Sequence, residues 1–179
     1  MSKTSAVAAK ALTSSHFELF GLAPAYALET DALERSYREI QSTVHPDRFA
    51  HAGDAERRAS MQMTTRVNEA YRTLKSPVKR AQYLLELKGV DVAFETDTAM
   101  PKDFLLEQME LRERLEDSKS SSDLDVIKKN LSEHKSEIEK QIAEQIDSQK
   151  NFASAKPLVR KLMFFDRLAE EVDEAYEAL

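Results

Sequence analysis

Residues 45–53 read HPDRFAHAG, a short polar loop with a helical pattern of apolar residues on each side. Pro46 ends the first pattern because it disfavours helical dihedrals at the residue before it. Two patterns of about 14 and 21 residues joined by so short a loop predict an antiparallel helical hairpin. The predicted core stripes are Leu33, Tyr37, Ile40 and Val44 before the loop, and Ala59, Met63, Val67, Ala70 and Leu74 after it.

Composition extends this helical reading to the whole chain. Of its 179 residues, 41% are hydrophobic and 32% charged, and only three are glycine. Such a mixture is rich in helix formers and poor in turn formers. We therefore predict an all-α protein, long enough for one domain and a smaller attached one.

The helical patterns divide into two groups. We expect a polar tail over residues 1–14, a first domain over residues 15–89, a linker over residues 90–100 and a second domain over residues 101–179. The linker VDVAFETDTAM has no clear period. Beyond it lie three amphipathic patterns with short connections, the last from about Ala155, which predict an antiparallel three-helix bundle.

Charge and cysteine content restrict the function. Residues 1–88 carry 13 Lys/Arg against 10 Asp/Glu, and residues 89–179 carry 13 against 22. Opposite signs fit two different partners, although acidic helices are also simply soluble. No cysteine is present, which excludes a disulfide, a thiol nucleophile and a cysteine-held zinc or cluster in the chain itself. Neither a secretory signal nor an apolar span is apparent, and we expect a cytoplasmic protein without membrane contact.

The loop and its flanks resemble the J-domain of the DnaJ superfamily. The resemblance covers residues 15–88, where FELFGL, HPDRF, VNEAY and SPVKRAQYLL occur in the order seen in that family. It implies that the loop stimulates ATP hydrolysis by a heat-shock-type ATPase chaperone. The residues that we expect to contact this chaperone are His45, Pro46, Asp47, Arg35, Arg38 and Arg48. The plain alternatives are an ordinary turn at the loop and solvated arginines, or arginines paired with Glu34 and Glu39.

The helix that follows Pro101 has more apolar surface than one core face needs. Phe104, Leu111 and Leu115 lie within roughly 40° of one another and predict the core stripe. A second arc is apolar at first and acidic further on, a pattern typical of a protein-binding surface. Its members are Leu105, Leu106, Met109, Glu110, Glu113 and Asp117. The alternative is that the bundle or the first domain buries the apolar members.

Two segments resemble the C-terminal domain of the HscB family. They are this helix, PKDFLLEQMELRERLED, and VRKLMFFDRL at residues 159–168. The resemblance implies a co-chaperone that brings an IscU-type iron–sulfur scaffold protein to a dedicated HscA-type ATPase chaperone. It places the second arc at the scaffold-binding surface, together with Phe164, which points away from the stripe containing Phe165. The alternative for Phe164 is a ring at the edge of the core, as is common for one of two adjacent phenylalanines. Position 117 is acidic in that family, and here it is the shorter Asp117.

Three other function classes compete with this one. An enzyme is disfavoured because the four histidines lack metal-ligand spacing and no glycine-rich phosphate loop occurs, so we predict no catalytic residue, metal or cofactor. Nucleic-acid binding is disfavoured because the basic half shows no aromatic interleaving. A general J-domain co-chaperone with another client is separated from the HscB type by the second apolar arc.

Overall fold

The computed structural model describes residues 14–92 and 101–178. These residues form seven α-helices and no strand, which confirms the all-α prediction. The chain divides into two compact units, Met1–Tyr83 and Leu84–Leu179. The predicted N-terminal tail up to residue 13 and most of the predicted linker, residues 93–100, lie outside the described residues. The predicted domain limits stay a prediction.

The first helix in the described part of the first unit is α1, His16–Leu19, and both of its ends are capped. Ser15 and Glu18 form a capping box: Glu18 N–H donates to Ser15 Oγ at 3.2 Å, and Ser15 N–H donates to Glu18 Oε2 at 2.7 Å. Gly21 ends the turn with a φ of 66°, which a side chain would disfavour. Gly21 therefore terminates α1.

Helices α2, Thr30–Val44, and α3, Asp54–Lys75, form the predicted antiparallel hairpin. The rings of Tyr37 and Tyr71 stack at 4.0 Å between them. Tyr37 Oη donates to Asn68 Oδ1 at 3.0 Å. Thr30 is the natural capping type, but the residue at the cap position is Glu29, without a side-chain cap bond. The helix simply starts one residue earlier than a Thr30 cap would imply.

Helix α4, Pro77–Glu86, starts with a proline, which suits the first turn of a helix, and crosses the division between the units. Within the first unit, its buried Arg80 donates from Nη1 to the Leu74 carbonyl at 2.6 Å, at the end of α3. The guanidinium also lies 5.2 Å from the centre of the Tyr26 ring. One arginine thus satisfies the last turn of α3 and anchors the segment between α1 and α2.

The second unit contains α5, Lys102–Glu116, α6, Ser121–Ala143, and α7, Phe152–Glu177. They form the predicted antiparallel three-helix bundle. Two lysines on α6 cross to α7: Lys128 Nζ lies 2.6 Å from Asp173 Oδ1, and Lys135 Nζ lies 2.5 Å from Asp166 Oδ1. The lysine with the higher residue number pairs with the aspartate with the lower one, as expected for antiparallel helices. The buried core stripe of α6 is Leu124, Ile127, Leu131, Ile138 and Ile142.

Two helix boundaries in the bundle differ from the periodicity. The α-helical part of α6 ends at Ala143 and continues as a π-helical turn, Glu144–Ser148, which still buries Ile146. Helix α7 begins at Phe152 rather than near Ala155, because Asn151 caps it. Its side chain accepts from the Ser154 N–H at 3.1 Å. A polar cap carries no apolar signal, so hydrophobic spacing placed the start too late.

His16 is a buried imidazole in the first unit. Its ring meets the Tyr83 ring edge-on at 4.2 Å, and its backbone N–H donates to Tyr83 Oη at 2.9 Å. Burial, and then the Arg66 guanidinium, lower the pKa of His16 below its ordinary value of 6.5, and Glu69 opposes them. The folded chain therefore favours neutral His16, while the unfolded chain takes up a proton near pH 6.5.

Acidification is thus expected to destabilise the first unit through His16. The contribution of neutral His16 is complete above pH 6.5 and is lost as the pH falls through the lowered folded-state pKa. His16→Phe keeps an aromatic ring and removes the titration. Urea unfolding at pH 7.5 and 5.5, followed by circular dichroism, should show a smaller pH dependence for this variant than for the wild type. Equal pH dependence in the two proteins would contradict the assignment.

Candidate functional site

Pro46 and Asp47 begin a 3-10 turn, Pro46–Phe49, that follows α2, and His45 caps this turn. Pro46 occupies the first position of the turn, where its missing N–H costs nothing. The Asp47 N–H donates to His45 Nδ1 at 3.3 Å. The Asp47 side chain remains almost fully exposed. The turn therefore presents an imidazole and a carboxylate to solvent with little backbone freedom left to lose on binding.

The hydrogen bond to His45 decides which ring nitrogen carries the proton. Asp47 Oδ2 also lies 3.4 Å from Nδ1, but a nitrogen that accepts an N–H has no proton to donate to a carboxylate. We assign the neutral tautomer with the proton on Nε2. In this tautomer His45 offers an outward Nε2–H donor, and the contact with Asp47 becomes an ion pair only when the ring is protonated.

Three side chains satisfy carbonyl groups at the end of α2. Ser60 Oγ and Thr64 Oγ1, both on α3, donate to the Val44 carbonyl at 2.6 and 3.2 Å. Arg48 Nη1 donates to the Ser42 carbonyl at 2.7 Å. Arg48, assigned from sequence to the chaperone contact, is exposed and also binds within its own unit. Its role toward a partner stays a prediction.

Arg35 and Arg38 lie exposed on α2, the helix that leads into the loop. Arg38 Nη2 lies 3.0 Å from Glu34 Oε2, and Lys75 Nζ lies 3.6 Å from the other oxygen of the same carboxylate. The pairing with Glu34 was the plain alternative for this arginine, and it occurs. An exposed pair of this kind contributes little and opens readily, so it leaves Arg38 able to meet an acidic partner.

The second candidate surface lies on α5. Leu105, Leu106 and Met109 are 43%, 59% and 59% exposed, respectively, which confirms the prediction that they lie outside the core. Phe104 and Leu111 face inward as predicted. Exposed side chains continue the arc as an acidic rim. They are Glu110, Glu113 and Asp117.

Phe164 does not extend this surface in the way that we expected from the sequence. It is only 8% exposed, and its ring packs edge-on against Phe104 at 5.6 Å and against Phe165 at 5.5 Å. The Arg112 guanidinium lies 5.4 Å from its centre. The expectation that Phe164 points away from the core is wrong, because α5 packs across both phenylalanines of α7. A contact with the scaffold stays a prediction.

Within the described residues, no three side chains of the metal-binding types converge on a point that would hold an ion. Among residues 14–92 and 101–178 we find no helix with the length and hydropathy of a transmembrane segment.

Comparison with known proteins assigns a family to both units. Residues 15–83 match the DnaJ domain, and residues 100–173 match the HSCB C-terminal oligomerisation domain. A co-chaperone protein HscB homolog from Azoarcus sp. is 44% identical over 171 residues, which cover 94% of this chain and 97% of that protein. The chain belongs to the HscB family of co-chaperones. An HscB homolog from Burkholderia cenocepacia is 47% identical over the same shares of both chains.

Solved HscB structures share the fold. The chaperone HscB from Vibrio cholerae is 33% identical with a TM-score of 0.82, over 93% of this chain and 99% of that one. The crystal structure of human co-chaperone protein HscB is 29% identical with a TM-score of 0.89, over 93% of this chain and 84% of that one. The HscB relatives are J-domain co-chaperones, a class that works with Hsp70-type partners.

In this HscB-family chain the predicted site residues fall into two groups. One group lies at the end of α2 and consists of His45, Pro46, Asp47 and Arg48. The other is the second arc, which runs along α5. Sequence reasoning missed Ser60 and Thr64. The sequence carries two signals for them. Two hydroxyl residues one helical turn apart lie beside the core stripe of α3, and Pro46 lacks the N–H that a carbonyl group at the end of α2 would need.

Proposed function

We propose that this chain binds an IscU-type iron–sulfur scaffold protein and delivers it to an HscA-type ATPase chaperone, whose ATP hydrolysis it stimulates. The observation that carries the proposal is the pairing, on one chain, of the histidine loop with an apolar, acid-rimmed helix face. A J-domain co-chaperone that served any unfolded client would not require the second surface. Membership of the HscB family supports the same reading.

The loop acts on the chaperone through a small, preset group of atoms. Pro46 restricts the turn, the assigned tautomer of His45 has a donor at Nε2, and the Asp47 carboxylate is an exposed acceptor. Because little order has to be gained on docking, binding energy is available for shifting the chaperone toward its hydrolysing state. Arg35 and Arg38 on α2 add attraction to an acidic groove, and this attraction weakens as salt screens it.

The face on α5 holds the scaffold. Leu105, Leu106 and Met109 supply the apolar centre of the contact, and the exposed carboxylates around them favour a basic partner surface. A protein that carries both sites keeps the scaffold close to the chaperone after the first contact forms. The second contact is then made at a raised effective concentration. The chain itself transfers no electrons and breaks no bonds in this scheme.

Steady-state ATP hydrolysis by the HscA-type chaperone tests the proposal. We expect a synergistic effect. The stimulation of hydrolysis by this chain and an IscU-type scaffold together should be at least about tenfold larger than the sum of their separate stimulations. The controls are the chaperone with each protein alone, and this chain with ATP but no chaperone. Absence of stimulation with three folded components would leave the fold standing and refute the proposed function.

A further inference from the structure

The end of α2 leaves carbonyl groups that the backbone alone does not satisfy. The Gln41 carbonyl accepts from the His45 N–H at 3.0 Å, as in a regular helix. The Ser42 carbonyl would next accept from residue 46, but Pro46 has no N–H. The Arg48 side chain supplies this donor instead, at 2.7 Å. A side chain of the loop itself therefore satisfies the Ser42 carbonyl.

The Val44 carbonyl is satisfied differently. A continued helix would give it the Arg48 N–H, but that group donates to the His45 carbonyl at 3.0 Å and closes the 3-10 turn. Val44 oxygen instead accepts from Ser60 and Thr64 on the neighbouring helix. Ser60 is only 5% exposed, and a buried hydroxyl needs such a partner. These two bonds attach the loop to α3.

The Val44 carbonyl belongs to the peptide unit that leads into His45. A peptide unit is planar, so its C=O and the following N–H turn together. Here the N–H of His45 is bound to α2 through Gln41, and the C=O of Val44 is bound to α3 through the two hydroxyls. Both edges of this plane are therefore fixed, and with them the N–Cα bond of His45, from which its side chain is built.

We propose that Ser60 and Thr64 are positioning residues for the His45-Pro46-Asp47 loop. They touch neither the chaperone nor the nucleotide, and they act by orienting the peptide plane before His45. The inference rests on the proposed function, because its consequence is ATPase stimulation. Loss of the hydroxyls should lower the efficacy of the docked loop much more than its docking, because the arginines of α2 are untouched.

The double variant Ser60→Ala/Thr64→Val tests this inference in a titration of the HscA-type chaperone. Maximal stimulation should fall about tenfold, as expected for a displaced reacting constellation. The half-saturating concentration should stay within about twofold, because uniform binding is unaffected. Thr64→Ser keeps its hydroxyl and should retain maximal stimulation within about twofold. An unchanged maximum, or a loss confined to half-saturation, would overturn the inference.

Thr65→Val is the matched control. Thr65 Oγ1 donates to the Met61 carbonyl at 3.0 Å within α3 and is exposed, so the same hydroxyl chemistry is lost away from the loop. This variant should stimulate like the wild type. An equal loss in Thr65→Val and in the double variant would assign the effect to α3 stability and refute positioning.

A second readout needs no partner. The backbone amide resonances of His45 and Asp47 should shift in the double variant and stay in place in Thr65→Val, because only the former frees the Val44 peptide. Unchanged resonances would refute positioning even if stimulation fell. If wild type failed to stimulate, the proposed function would fail, and these resonances would still decide the positioning role. If the double variant does not fold, the single variant Thr64→Val replaces it. Its maximal stimulation and its His45 and Asp47 amide resonances are then judged by the same criteria.

Discussion

His45→Gln is expected to reduce the stimulation of the HscA-type chaperone by at least about tenfold, to near its basal rate. Glutamine has an amide that can still meet the Asp47 N–H, but it lacks a rigid ring that carries an N–H on the opposite side. The outward donor of His45 is therefore lost or misdirected. Steady-state phosphate release, measured over a titration of the co-chaperone, gives both the maximal stimulation and the half-saturating concentration.

The chain offers a matched control for this substitution. His51 lies exposed just beyond the 3-10 turn, so His51→Gln makes the same chemical change in the same segment without touching the His45–Asp47 bond. We expect it to stimulate like the wild type. Full stimulation by His45→Gln, with the fold verified by circular dichroism, would remove this loop from the mechanism.

The triple variant Leu105→Ala/Leu106→Ala/Met109→Ala is expected to weaken binding of an IscU-type scaffold by at least about 100-fold. These side chains are exposed in the chain, so their truncation removes contact area without opening a core cavity. Titration calorimetry with the scaffold measures the affinity. The thermal midpoint of the variant should stay close to that of the wild type, because surface truncations alter stability little.

Two further variants separate binding from folding. Val126→Ala truncates an exposed apolar residue on α6 and should leave scaffold binding unchanged. Phe164→Ala removes a buried ring from its contacts with Phe104 and Phe165 and should destabilise the bundle by about 3–5 kcal/mol. Its loss of binding would thus accompany unfolding. Scaffold binding that persists in the triple variant would favour a co-chaperone with another client.

Much of the architecture follows from local sequence. Apolar residues at helical spacing predict α2, α3, α5 and α6, because each helix must bury one face. Pro46 and Gly21 mark helix ends through the dihedrals that they restrict or permit. These effects depend on near neighbours in the chain and can be read without a structure. Apolar spacing does not mark helix starts, as α7 illustrates, since a polar cap such as Asn151 adds nothing to the apolar pattern.

The two candidate surfaces also have a local signature. His45-Pro46-Asp47 between two long helical patterns is specific enough to indicate a J-domain, and the family comparison confirms it. The surplus apolar arc on α5 indicates a binding face, because one core stripe already accounts for Phe104 and Leu111. Periodicity by itself left open whether Leu105, Leu106 and Met109 are covered by another element. Their exposure shows that the other described helices of the second unit do not cover them.

What the sequence by itself determined is therefore the helical class, the hairpin, the loop and the arc, all of which depend on residues close together in the chain. Only the tertiary structure decided where Phe164 points and which groups hold the loop. The ring of Phe164 is buried because α5 lies across α7, and the Val44 carbonyl meets Ser60 because α3 passes beside the end of α2. Both contacts join residues far apart in sequence, and packing between helices, rather than helical periodicity, selects them.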